Sequence, residues 1–258
     1  MNRDEHNTFI KSDLSDIVRE VVRSANLLGD GLEFYAVNGY LLQSLFLQMT
    51  GAQEQKMKCL CWMLATNDLT YRQKRYYNGW TLSQCSTLVD KSHVFEDMMD
   101  AIVKSEPAYR PFANDVEKTN FINTVRDTLA SIFDGTNMAK IHSKKYNQFK
   151  SVLTTLNPGN IVPSNKLLFK KGNQDAPVAG VAVDTEMFAI YTLLYRHRNR
   201  CAHNTPSYQL NLPHLSDLKD EQYQKYDNIF LFFATLLMID GIFRRLYEKY
   251  NSLMLEVY

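Results

Sequence analysis

The stretch IFLFFATLLMI, residues 229–239, decides the fold class. Only Thr235 interrupts its apolar character, yet the run is about half the roughly 20 residues that a membrane span needs. It lies inside a longer helical pattern, about 219–250, that is apolar on several faces between Ile229 and Ile239. A helix that is apolar all round belongs at the centre of a bundle, so the surrounding chain must supply amphipathic helices to cover it.

That supply is visible in both directions. From Leu14 to Gly29 the apolar residues Leu14, Ile17, Val18, Val21, Val22, Ala25 and Leu28 recur in threes and fours, and similar patterns follow at about 34–49, 55–66, 81–104 and 116–133. A further helix starts at Asp184 or Thr185, both good N-caps with Glu186 in the first turn, and continues through Met187, Phe188, Tyr191, Leu194 and Tyr195. The expected fold is all-α, one helical domain over residues 1–258. Between 134 and 183 the text changes, with four of the ten glycines and three of the seven prolines amid Asn and Lys. This predicts a loop-rich insertion, with a short hairpin around Lys166–Lys170.

Composition narrows the function classes. With 29 basic and 28 acidic residues the net charge is +1, so no whole-molecule field draws the chain to nucleic acid or to an anionic membrane. Phosphate binding must rest on a local cluster. Four cysteines, Cys59, Cys61, Cys85 and Cys201, are too irregular for a disulfide framework or a zinc set, and read as reduced thiols of a cytoplasmic protein. The opening residues MNRDEHNTF are polar, so no secretory signal is expected, and no membrane partner either. Glycine-rich phosphate loops, HExxH and CxxC are all missing, and Gly29-Asp30-Gly31 reads as a helix-ending turn. Glu96 and Asp100, one helical turn apart, suit a solvated face better than a cation site. The segment RQKRYYNGW, Arg72 to Trp80, interleaves cations and aromatics and fits either helix packing or a stacking surface for single-stranded nucleic acid. No metal and no cofactor is expected.

The segment YRHRNRCAHN, residues 195–204, carries the chemistry. At about 100° per residue Arg198 falls on the stripe of Met187, Tyr191, Leu194 and Tyr195, which should face inward. A guanidinium aimed inward needs an acceptor, and no carboxylate stands within a turn, so its partner is either a distant acid or a ligand phosphate. His203 can exchange a proton near neutral pH. Five residues separate the two, about 140° around an ideal helix, so a shared site within one chain requires the helix to loosen or end between them; Pro206 points the same way. Asn199, four residues before His203, is placed to orient the imidazole.

An arginine, a polar follower and a histidine four residues further on, at the end of a late helix in an all-α chain, resemble the active-site motif of the HEPN superfamily of ribonucleases. Chance alone gives an Arg-x4-His roughly 0.3 times in such a chain, and the Asn requirement lowers this to about 0.02. The resemblance implies a HEPN-type helical bundle and a homodimer whose two motifs face each other across a composite active site. It also implies metal-independent endoribonuclease activity of a toxin, antiviral-defence or abortive-infection kind, with 2′-hydroxyl attack leaving a 2′,3′-cyclic phosphate. Arg198, Asn199 and His203 are then catalytic: His203 moves a proton and Arg198 binds phosphate and stabilises charge in the transition state. Arg196 also satisfies the looser six-residue spacing. Arg196, His197 and Arg200 form a basic patch for the RNA backbone. A separate antitoxin or defence partner protein fits a toxin–antitoxin arrangement. The same motif also fits a non-catalytic HEPN-like dimer that binds RNA, a nucleotide or a partner protein.

Overall fold

A helix without a polar face must be enclosed, and α12 (Ile229–Leu255) is: every residue from Phe230 to Asp240 is buried. The computed structural model describes residues 3–29, 31–77, 85–161, 168, 186–203, 219 and 221–255. Among these residues the secondary structure is helical throughout, with no strand. Around α12 pack α1 (Arg3–Lys11), α2 (Leu14–Asn26), α3 (Leu32–Asn67), α5 (Leu88–Ser105), α6 (Asp115–Phe133), α8 (Ser143–Thr155) and α10 (Glu186–His203). The shorter α4 (Leu69–Tyr77), α7 (Asn137–Ile141), α9 (Pro158–Ile161) and α11 (Glu221–Tyr226) join or buttress them. One continuous apolar core links residues from α1 to α12, so the described residues form a single all-α bundle.

Local chemistry starts and stops these helices. Asp13 caps α2 by accepting from Ser15 N, Asn114 caps α6 through Glu117 N, and Thr87 and Asp90 form a reciprocal capping box on α5. Beyond α2, Gly29 takes φ +76°, the left-handed region, so the first glycine of the pair is the helix-ending turn the sequence predicts.

Two expectations need correction. The patterns at 34–49 and 55–66 are one helix, α3, about 54 Å long at 1.5 Å per residue. The polar text at 50–55 does not break it, because Gly51 lies on the exposed face while Met49, Gln53 and Lys56 keep the buried face continuous. The segment 134–183 is not loop-rich over its first half, since α7, α8 and α9 fill 137–161. Tyr146, Phe149, Val152 and Leu153 put an apolar stripe on α8, and the rings pack on the core. Phe230 lies 5.1 Å from both Phe133 and Tyr146, ring centre to ring centre. The hairpin expected at 166–170 lies outside the described residues apart from Leu168, which is buried. The N-cap expected at Asp184 or Thr185 also lies outside them.

Polar anchors set α3 against α12. Lys56 and Asp240, both almost fully buried, pair at 2.8 Å, and Gln53 Nε2 donates to Leu236 O at 3.0 Å. Arg244, one turn beyond Asp240, reaches Asp13 at 2.8 Å. The first two bonds fix the middle of α3 against α12, and Gln53 and Leu236 line the cavity where the candidate site lies.

Candidate active site

α10 runs antiparallel to α3: Gln43 Nε2 donates to Cys201 Sγ at 3.0 Å, and the rings of Phe46 and His197 meet edge to face at 5.1 Å. Its stripe of Met187, Tyr191 and Leu194 is buried as expected, and Arg198 continues it into a narrow polar cavity between α3, α5 and α10. Arg198 remains 28% exposed, so solvent reaches the guanidinium.

The distant acid is Glu54 of α3. Arg198 Nη2 donates to Glu54 Oε2 at 3.4 Å, longer than the 2.7–2.9 Å typical of a charge-assisted bond. Glu54 holds Lys58 more closely, at 2.9 Å through its other oxygen. Arg198 Nη1 also donates to Asn199 Oδ1 at 3.4 Å. Asn199 Oδ1 is therefore turned toward the arginine, and the bond expected between Asn199 and the His203 ring lies outside the described residues.

The expected loosening between Arg198 and His203 does not occur, because α10 is unbroken through His203. Pro206 itself lies outside the described residues. Positions 198 and 203 thus stand about 140° apart around one helix. The side chain of His203 lies outside the described residues.

The basic patch is smaller than expected. Arg196 is exposed, but His197 packs between Phe46 and Phe232, its ring centre 5.6 Å from that of Phe232. Burial, and then the Arg200 charge, push its pKa down to about 4, so the ring is neutral at pH 7. Arg200 Nη2 lies 3.3 Å from His197 Nδ1 and donates to it. His197 is therefore a half-buried neutral ring against the core that accepts from Arg200; the cations left for a phosphate backbone are Arg196 and Arg200.

The sequence did not single out Glu54 or Lys91, which line the same cavity as Arg198 together with Thr50, Gln53 and Tyr195. Lys91 is 3% exposed and donates to Cys85 O at 2.9 Å and Ser86 O at 3.1 Å. Its burial pushes its pKa down to about 8. Tyr191, whose hydroxyl donates to Ser86 O at 3.3 Å, is pushed up by burial. No local pattern marks these residues, since Glu54 and Arg198 are 144 positions apart and meet only through helix packing.

Elsewhere, Arg75 of the RQKRYYNGW segment is buried and paired with Asp97 rather than offered to a base, while Arg72 and Lys74 are exposed; residues 78–80 lie outside the described set. Among the described residues no three His, Cys, Asp or Glu side chains gather as a metal site, and no helix is long and apolar enough to cross a membrane. All four cysteines are free and buried. Comparison with known proteins adds no relative: no family model, no curated protein and no solved structure matches the chain.

Proposed function

We propose that this chain is a metal-independent endoribonuclease of HEPN type, acting in a toxin or antiviral-defence role, with Arg198 and His203 as its catalytic pair. The observation that carries the reading is the state of Arg198. It stands on α10 five residues before His203, remains 28% exposed, and among the described residues its hydrogen bonds are no shorter than 3.4 Å. A guanidinium so placed can exchange a stretched carboxylate contact for an RNA phosphate and offset the negative charge that grows in the transition state.

The unbroken helix bears on the architecture of the site. Because positions 198 and 203 diverge by about 140°, one protomer does not turn both toward the same phosphate. The active centre is composite: Arg198 of one protomer works with the partner's His203 across a two-fold axis. At each of the two equivalent sites one His203 takes the 2′-hydroxyl proton, Arg198 of the other protomer holds the phosphate, and water protonates the leaving 5′-oxygen.

The test is cleavage of end-labelled RNA in excess EDTA by the parent, Arg198→Ala and His203→Ala. The expected result is parent cleavage with 2′,3′-cyclic phosphate ends and a loss of at least about a hundredfold in each variant. Variants that cut as fast as the parent would overturn it.

A further inference from the structure

Arg198 is not the only cation at the cavity. Lys91 reaches it from α5, and among the described residues its ammonium donates to the carbonyls of Cys85 and Ser86, with the Tyr191 ring centre 5.5 Å away. Among the described residues no carboxylate lies within 4 Å of Lys91 Nζ. Among the described lining residues Glu54 is the one carboxylate, and Lys58 and Arg198 both draw on it. Glu54 is thus shared between Lys58 and Arg198, while Lys91 lines the same cavity without a carboxylate in contact among the described residues. A buried ammonium without a counter-ion is costly to hold, and an added anion would relieve that cost.

We propose that Lys91 and Arg198 form an oxyanion pocket between α3, α5 and α10 that takes a phosphate group, with Glu54 occupying the place when no ligand is bound. The proposal shares Arg198 with the ribonuclease reading and rests on it for the identity of the phosphate, but not for the existence of the pocket. As it stands the cavity has about 10 Å³ free, room for about one water, so a phosphate enters only as the Glu54 carboxylate leaves. The geometry favours that exchange. Glu54 touches Arg198 at 3.4 Å and Lys58, on the outer side, at 2.9 Å, so rotation toward Lys58 gives up the weaker contact and keeps the stronger. The ligand then gains two charged donors, one permanently charged and one buried. Lys91 is a phosphate-binding residue contributed from outside the Arg-x4-His motif, and Glu54 is a competitor built into the fold.

The experiment is calorimetric titration of the full chain with two probes: inorganic phosphate, and a DNA dinucleotide whose single diester lacks the 2′-hydroxyl and cannot be cut. Lys91→Met keeps the bulk of the side chain and removes a buried charge, and Glu54→Gln removes the competitor. Loss of one hydrogen bond to a charged group predicts binding at least about tenfold weaker in Lys91→Met, and loss of the competitor predicts binding about tenfold tighter in Glu54→Gln. Binding of the dinucleotide alone assigns the pocket to a nucleic-acid backbone, and binding of both probes assigns it to phosphate groups generally. Parent-like affinity in folded Lys91→Met, or no binding of either probe by the parent and Glu54→Gln, overturns the proposal. If Lys91→Met does not fold, parent-like affinity in Glu54→Gln overturns it alone. A protein that binds the probes but cuts no RNA retains the pocket and loses only the ribonuclease reading.

Discussion

Replacing Asp240 with Asn should be among the most damaging single changes in the bundle. Asp240 and Lys56 have side chains 1% and 2% exposed and pair at 2.8 Å, and Lys56 also donates to Ser12 O. Burial pushes the carboxyl up and the ammonium down, so Lys56 depends on Asp240, while Asp240 is held by Lys56 and also by Arg244 Nε at 3.1 Å. Asparagine keeps the shape and can still accept from Leu14 N, but it leaves Lys56 charged and buried with one carbonyl. Breaking a buried pair in this way costs about 3–5 kcal/mol. That is a large share of the 5–15 kcal/mol typical of a domain. Removing both charges in Lys56→Met with Asp240→Asn should recover most of the loss and bring stability to within about 1–2 kcal/mol of the parent. Urea unfolding followed by far-UV circular dichroism at neutral pH measures all three proteins. The reasoning is refuted if Asp240→Asn costs less than about 1 kcal/mol, or if the double variant is as unstable as the two singles added together. The result also bears on the site, because Glu54 stands two residues before Lys56 and inherits its position from this anchor.

Three further outcomes follow from particular side chains. Phe149→Ala should cost about 3–5 kcal/mol in urea unfolding, since the ring is fully buried against Tyr146 and Phe230; a cost under about 1 kcal/mol would remove α8 from the core. The His197 ring resonances should show no titration between about pH 5.5 and pH 8, because burial holds the pKa near 4, and a midpoint near 6.5 would place the ring in solvent. Lys91 gives up its proton near pH 8 when folded and near 10.5 when unfolded, so in that window the unfolded chain binds more protons and stability rises with pH. Relative to Lys91→Met, the parent should gain about 3 kcal/mol from about pH 8 to pH 10.5 in denaturant titrations, and a flat difference would contradict the burial of the ammonium.

Helical periodicity made most of the bundle legible in the sequence. Leu14, Val18, Val22 and Ala25 mark the buried face of α2 at spacings of three and four, and the unbroken apolar text from Phe230 marks the enclosed helix. The periodicity is obscured where polar residues interrupt the text of a helix. In α8 the Lys- and Asn-rich text hides the stripe of Tyr146, Phe149, Val152 and Leu153, and in α3 the polar text at 50–55 masks a continuous buried edge. At the site, the stripe through Tyr191 and Leu194 correctly turns Arg198 toward a distant acid, but nothing local names Glu54. His197 sits in a row of cations that suggests solvent, while α3 and α12 bring Phe46 and Phe232 onto its ring. The break expected before His203 rested on bringing both side chains to one site within a single chain, whereas α10 continues through His203.

Mixing two inactive proteins tests the composite centre most directly. Arg198→Ala and His203→Ala, each without measurable cleavage alone, are combined under conditions that let subunits exchange, and RNA cleavage is followed in EDTA. Half of the dimers are then mixed, and each mixed dimer has one of its two sites intact, so activity should return to about a quarter of the parent's. An active parent whose mixed variants stay silent would contradict a site shared between two copies of Arg198 and His203.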